Sequence, residues 1–93
     1  MTVAQRFGEN LVRYRRRAGL SQEQLGLLAD LHRTEIGCLS GGARIPRVDT
    51  LLKQATGLDI TPTVLLDGIS WEPDETQPGR FELSRGTATK NPA

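Results

Sequence analysis

A chain of 93 residues sets one domain as the natural expectation, and a chain this short buries only about 60% of the surface its unfolded form exposes. The net charge is +1, and the single cysteine, Cys38, excludes an intrachain disulfide and a zinc-finger ligand set. The expected setting is therefore reducing and cytoplasmic, with no membrane span and no apolar signal core in "MTVAQRFGEN".

The distribution of charge says more than its total. Residues 1–66 hold nine Arg or Lys against six acids, and residues 67–93 hold three against five. Eight of the nine cations in the first part are arginines, the side chain suited to bidentate phosphate contacts. A polyanion site on the first part alone is the expectation.

Val3, Phe7, Leu11, Tyr14 and Ala18 recur at helical spacing, with Thr2 to cap the start and Gly19 to end the helix. Ser21 is a good N-cap for a second helix of about nine residues, with Leu25, Leu28 and Ala29 facing inward and a stop near Asp30. A third helix starts at once, capped by His32 or Thr34, with Ile36 and Leu39 inward and "SGG" at 40–42 as its stop. A fourth follows Pro46, with Val48, Leu51, Leu52 and Ala55 inward and Gly57 at its end. Thr61 and Pro62 open a short fifth helix carrying Val64, Leu65 and Leu66. Beyond Gly68 the pattern changes. "ISWEP" and "GRFEL" alternate loosely about "DETQP", which permits a β-hairpin at 69–83, and "SRGTATKNPA" reads as disordered.

The second and third helices, joined by a short turn, form a helix-turn-helix pattern. With Ile36 and Leu39 inward, Arg33, Thr34, Gly37 and Cys38 point away from the core. The N-terminal residues of such a second helix contact bases. Arg33 suits guanine O6 and N7, Thr34 suits several base edges or a thymine methyl, and Gly37 permits close approach.

The stretch "LSQEQLGLLADLHRTEIGCLSGGARIPRVDTLLKQATGLDITPTVLL" resembles the Cro/phage-repressor type of helix-turn-helix domain, the XRE family, over about residues 5–66. The resemblance implies an all-α, five-helix, lambda-repressor-like DNA-binding domain, here residues 1–67, followed by a C-terminal extension at 68–93. It also implies binding to double-stranded DNA, usually as a homodimer. By position, Gln22 matches a glutamine that commonly bonds a phosphate and buttresses the recognition helix. Arg33, Thr34, Gly37 and Cys38 match base-facing positions, and Arg44 and Arg47 match the loop that tracks the backbone. Three residues depart from the family pattern. Gly26 replaces an alanine, at about 1 kcal/mol of helix propensity. Asp30 replaces a turn glycine, in a left-handed conformation that Asp tolerates. Ser40 replaces a glutamate that pairs with a first-helix arginine, here Arg15, so that Arg15 is either freed for phosphate or the domain is less stable.

Plainer roles stand beside these. The arginines of "RYRRR" suit a solvated face, with one or two approaching DNA. His32 caps its helix or touches phosphate and has no companion metal ligands. Cys38 is a small residue near DNA before it is a redox sensor. No nucleophile–base set and no phosphate loop points to an enzyme, and no cofactor is expected. Dimerisation is expected through Val64, Leu65 and Leu66, since one helix cannot turn all three inward, widened by Ile69, Trp71 and Phe81. The expected function is a transcriptional regulator, a repressor on a palindromic operator. Two alternatives stand beside it: an antitoxin whose acidic tail holds a toxin, and a protein–protein adaptor that does not read DNA.

Overall fold

The computed structural model of the chain describes residues 1–84. Five helices come first: α1 (Val3–Arg17), α2 (Gln22–Ala29), α3 (Arg33–Ser40), α4 (Val48–Leu58) and α5 (Pro62–Leu65). Two strands follow, β1 (Ile69–Glu72) and β2 (Arg80–Leu83), paired antiparallel with Ile69 opposite Leu83 and Trp71 opposite Phe81. The tail expected to be disordered lies, from residue 85 on, outside the described residues. No described helix is long and apolar enough to cross a membrane.

Local chemistry sets most helix ends. Thr2 with Gln5, and Ser21 with Gln24, each form a reciprocal capping box that satisfies otherwise orphaned N–H groups. The third helix is capped by His32, whose Nδ1 accepts the Thr34 N–H at 3.0 Å. Asp30 ends α2 in the left-handed region, at φ 58° and ψ 45°. Gly57 does not end α4. The helix continues to Leu58, and Asp59 closes it at φ 59°. Gly57 instead lies against α2, where an added Cβ would sit 3.1 Å from Leu25 Cδ1 and 3.2 Å from Ala29 Cβ.

Phe7, Leu11, Leu25, Ala29, Ile36, Leu39, Ala55, Leu58 and Leu65 form one buried cluster. Three residues expected in it are not there: Leu28 is 59% exposed, Val48 73% and Leu52 49%. With about 100° between successive residues, a core side centred on Leu25, Gly26 and Ala29 leaves Leu28 a quarter turn away. In α4 the buried positions are Thr50, Gln54, Ala55 and Leu58, which turns Val48 and Leu52 outward. Ala18, at the end of the first apolar stripe, is also exposed.

Polar groups join the pieces. Asn10, buried in α1, donates from Nδ2 to the carbonyl oxygens of Leu65 (3.0 Å) and Asp67 (2.9 Å), fixing α5 onto α1. Arg6 donates to the Ser84 carbonyl, and the Ser84 N–H donates to the Gly68 carbonyl at 2.7 Å. Ile69 packs against the helical core. The hairpin is thus held at both ends to the helical body.

Candidate nucleic-acid interface

The α2–α3 pair is joined through Asp30, Leu31 and His32. The turn is tight: the Leu31 N–H donates to the Gly26 carbonyl at 2.9 Å, and a Cβ on Gly26 would lie 2.5 Å from the Leu31 carbonyl oxygen. That close approach accounts for glycine here despite its helix-propensity cost. With Ile36 and Leu39 buried, α3 is anchored on one side only. Arg33 and Thr34 are exposed at its start, and Gly37 and Cys38 are half-buried along the same outward face.

The two flanks of α3 differ. On one, Gln22 lies against Gly37, where a Cβ would meet Gln22 Oε1 at 3.2 Å. The first residue of α2 is thereby brought alongside the middle of α3, beside the N-terminal, partially positive end of α2. On the other flank, Arg44 Nη2 reaches Glu35 Oε1 at 2.6 Å. The hydrogen bond to Glu35, then its charge, then the neighbouring Cys38 side chain hold the Arg44 guanidinium still more firmly protonated than an ordinary arginine. Arg47, just before α4, is exposed and contacts Asp49 at 3.1 Å. Exposed pairs of this kind are worth roughly 0–1 kcal/mol, so Arg47 can exchange its partner for a phosphate. Arg33 has no ion-pair partner among the described residues.

His32 keeps one nitrogen for a partner. Because Nδ1 accepts the Thr34 N–H, Nε2 is the ring nitrogen left to donate at the start of α3, with no partner among the described residues.

Arg15 departs from the expectation. Its Nη1 donates to the Leu20 carbonyl at 2.7 Å, closing the α1–α2 loop, and its Nε is buried without a partner among the described residues. At least one guanidinium nitrogen is thus committed to the fold rather than to phosphate. Ser40, which stands where the family pattern has a glutamate, donates its hydroxyl to the Ile36 carbonyl at 2.7 Å. Arg13, Arg16 and Arg17 line an open groove of about 660 Å³ along α1, with Val12 and Ser40. Arg17 also lies over the Tyr14 ring, 5.2 Å from its centre.

Comparison with solved structures identifies this arrangement. The restriction-modification controller protein C.AhdI from Aeromonas hydrophila is 40% identical, with a TM-score of 0.65, over 67% of this chain and 94% of the controller. The chain belongs to the XRE-type helix-turn-helix family of transcriptional regulators. An HTH_3 family transcriptional regulator from Vibrio cholerae (24% identical, TM-score 0.65, 68% of this chain and 35% of that one) shares the fold. So does the clp gene regulator ClgR from C. glutamicum (15%, 0.67, 71% and 86%). No protein-family model and no curated protein matches the chain.

This XRE-type regulator is a DNA-binding protein, and its α3 corresponds to the helix that the sequence singled out. Glu35 is not marked as a site residue by the helical pattern or by the family resemblance. Its position in the first turn of α3 is visible in sequence only as a favourable acid at a helix start, and its partner lies nine residues on, across a turn.

The residues expected to join two copies are split by the structure. Leu65 is wholly buried in its own core, at 0% exposure, and cannot serve a partner. Ile69 packs largely inward and Val64 is half-buried. Leu66 (39%), Trp71 (53%) and Phe81 (54%) remain exposed. Trp71 and Phe81 meet edge to face, 5.0 Å between ring centres, so the hairpin presents one aromatic unit.

Proposed function

We propose that this regulator is a sequence-specific transcriptional repressor that binds a palindromic operator as a homodimer. Residues 1–67 form its DNA-binding unit and residues 68–93 an extension that widens the dimer surface. The supporting observation is the exposed outward face of α3, with Arg33, which has no ion-pair partner among the described residues, beside Thr34, between Gln22 on one flank and Arg44 and Arg47 on the other. Arg33 and Thr34 read base edges, and Gly37 and Cys38 allow close approach. Gln22, the His32 Nε2–H, Arg44 and Arg47 hold phosphates. Leu66, Trp71 and Phe81 join the two copies, with Val64 at the margin.

One recognition helix reads only a few base pairs, too few to mark a site in a genome. A twofold pair solves this and places its recognition helices about 34 Å apart. The likeness to a restriction-modification controller supports a narrower version, in which the regulated genes encode such a pair of enzymes.

Selection of sites from a random duplex pool tests the proposal. An inverted repeat with half-site centres about 10 base pairs, or a multiple, apart supports it. Recovery of no preferred sequence contradicts it.

A second reading, an antitoxin that also holds a toxin, is favoured by the acids Glu72, Asp74, Glu75 and Glu82 around the exposed aromatic pair. It requires that the product of a neighbouring gene bind the chain and that Trp71→Ala abolish that binding. The adaptor reading lacks comparable support, because an adaptor has no need of exposed cations around one helix.

A further inference from the structure

Glu35 carries the wrong sign for a surface that meets DNA. It lies in the first turn of α3, next to Thr34 and one turn before Cys38, on the flank of the outward face. Its side chain is 30% exposed and is held by Arg44, itself 51% exposed, at 2.6 Å. The pair bridges two elements, the start of α3 and the loop that follows it. By contrast, Arg47–Asp49 and Arg80–Glu82 join residues two apart. The bridging pair draws the two side chains together across the turn that follows α3.

A carboxylate can only accept hydrogen bonds, so near DNA it gains where it meets a donor and loses everywhere else. Phosphate oxygens repel it. In the major groove, guanine O6 and N7 and thymine O4 are acceptors and also repel it. The donors there are the exocyclic amino groups. Cytosine N4 stands without an adjacent acceptor on its own base, whereas adenine N6 stands beside N7.

We propose that Glu35 is a specificity-determining residue of the interface: Arg44 holds its carboxylate at the rim of α3, where it accepts a hydrogen bond from a cytosine amino group and rejects bases that present acceptors. The inference rests on the DNA-reading role of α3 given above. Arg44 then has two tasks, orienting Glu35 through Nη2 and meeting a backbone phosphate with its remaining N–H donors.

Site selection with the wild-type chain, Glu35→Gln and Arg44→Gln tests this. Glutamine keeps the shape but adds a donor, so it tolerates acceptor bases. The wild type is expected to prefer cytosine at one position in each half-site by roughly tenfold to a hundredfold. Glu35→Gln should reduce that preference to a few-fold and leave the other positions unchanged. Arg44→Gln should blur the same position and also lower the salt dependence of binding. If Glu35→Gln keeps every base preference, the inference is overturned, even if its salt dependence steepens, because Glu35 then only restrains Arg44. If the wild type itself selects no sequence, the DNA-reading role fails first, which is a distinct result.

Discussion

Gln22 rests against Gly37, so the start of α2 braces the middle of α3 at the one helical position there that has no side chain. Gly37→Ala should therefore separate stability from function. Alanine in a helix gains about 0.5–1 kcal/mol over glycine, and the exposed Gln22 side chain can move aside. The variant should melt at the wild-type temperature or slightly above it. If Gln22 holds a phosphate as proposed, affinity for the operator should fall, because the displaced side chain no longer reaches it. Equal affinity with raised stability would show that the Gln22–Gly37 contact has no part in binding.

Asn10 holds α5 in place through two carbonyls. Asn10→Ala leaves both without their buried donor and should cost about 2 kcal/mol of stability, read from denaturant titration. The loss should also expose α5 to hydrogen exchange before the rest of the core.

Gln54 predicts the opposite sign. It is fully buried, and neither amide atom has a hydrogen-bond partner among the described residues. Gln54→Met, close in shape and apolar, should raise stability by about 1–2 kcal/mol by removing an uncompensated polar group. An unchanged or lowered midpoint would mean that the amide is satisfied in solution.

Leu65 and Leu66 are neighbours with different fates. Leu65→Asp places a charge in the core and should prevent folding, seen as loss of helical circular dichroism. Leu66→Asp should fold as the wild type does but shift the chain toward monomer in sedimentation at micromolar concentration. A Leu66→Asp chain that remains dimeric would remove α5 from the proposed interface.

How much of this was legible in the sequence depended on range. Thr2 and Ser21 mark helix starts through contacts within four residues, Pro62 through its fixed φ, and the left-handed Asp30 was legible from the family resemblance, which places a turn glycine there. The hairpin at 69–83 was legible from alternation about a turn. Which side of a short helix faces the core was less so. In α2, an eight-residue helix, Leu25, Leu28 and Ala29 fit one stripe, yet packing against α4 across Gly57 turns the helix so that Gly26 is buried and Leu28 is not. Buried Asn10, Thr50 and Gln54 fill places that an apolar pattern assigns to other residues. In the candidate site, the exposure of Arg33 and Thr34 was readable from the period of α3. The internal partner of Arg15 and the Glu35–Arg44 pair were not, because each depends on how a loop closes in space.

Whether α3 reads bases while the following loop holds phosphates is decided by comparing Arg33→Ala with Arg47→Ala. Binding of each variant to the selected operator and to every single-base variant of it, over a range of salt, gives both readouts. Arg33→Ala should cost roughly 1–3 kcal/mol on the operator and relax preference at one base pair in each half-site. Arg47→Ala should weaken binding to all the sequences about equally and reduce the salt slope by about one per subunit. If the two variants lose affinity with the same base preference as the wild type, α3 does not read the operator through Arg33, and the account is wrong at its centre.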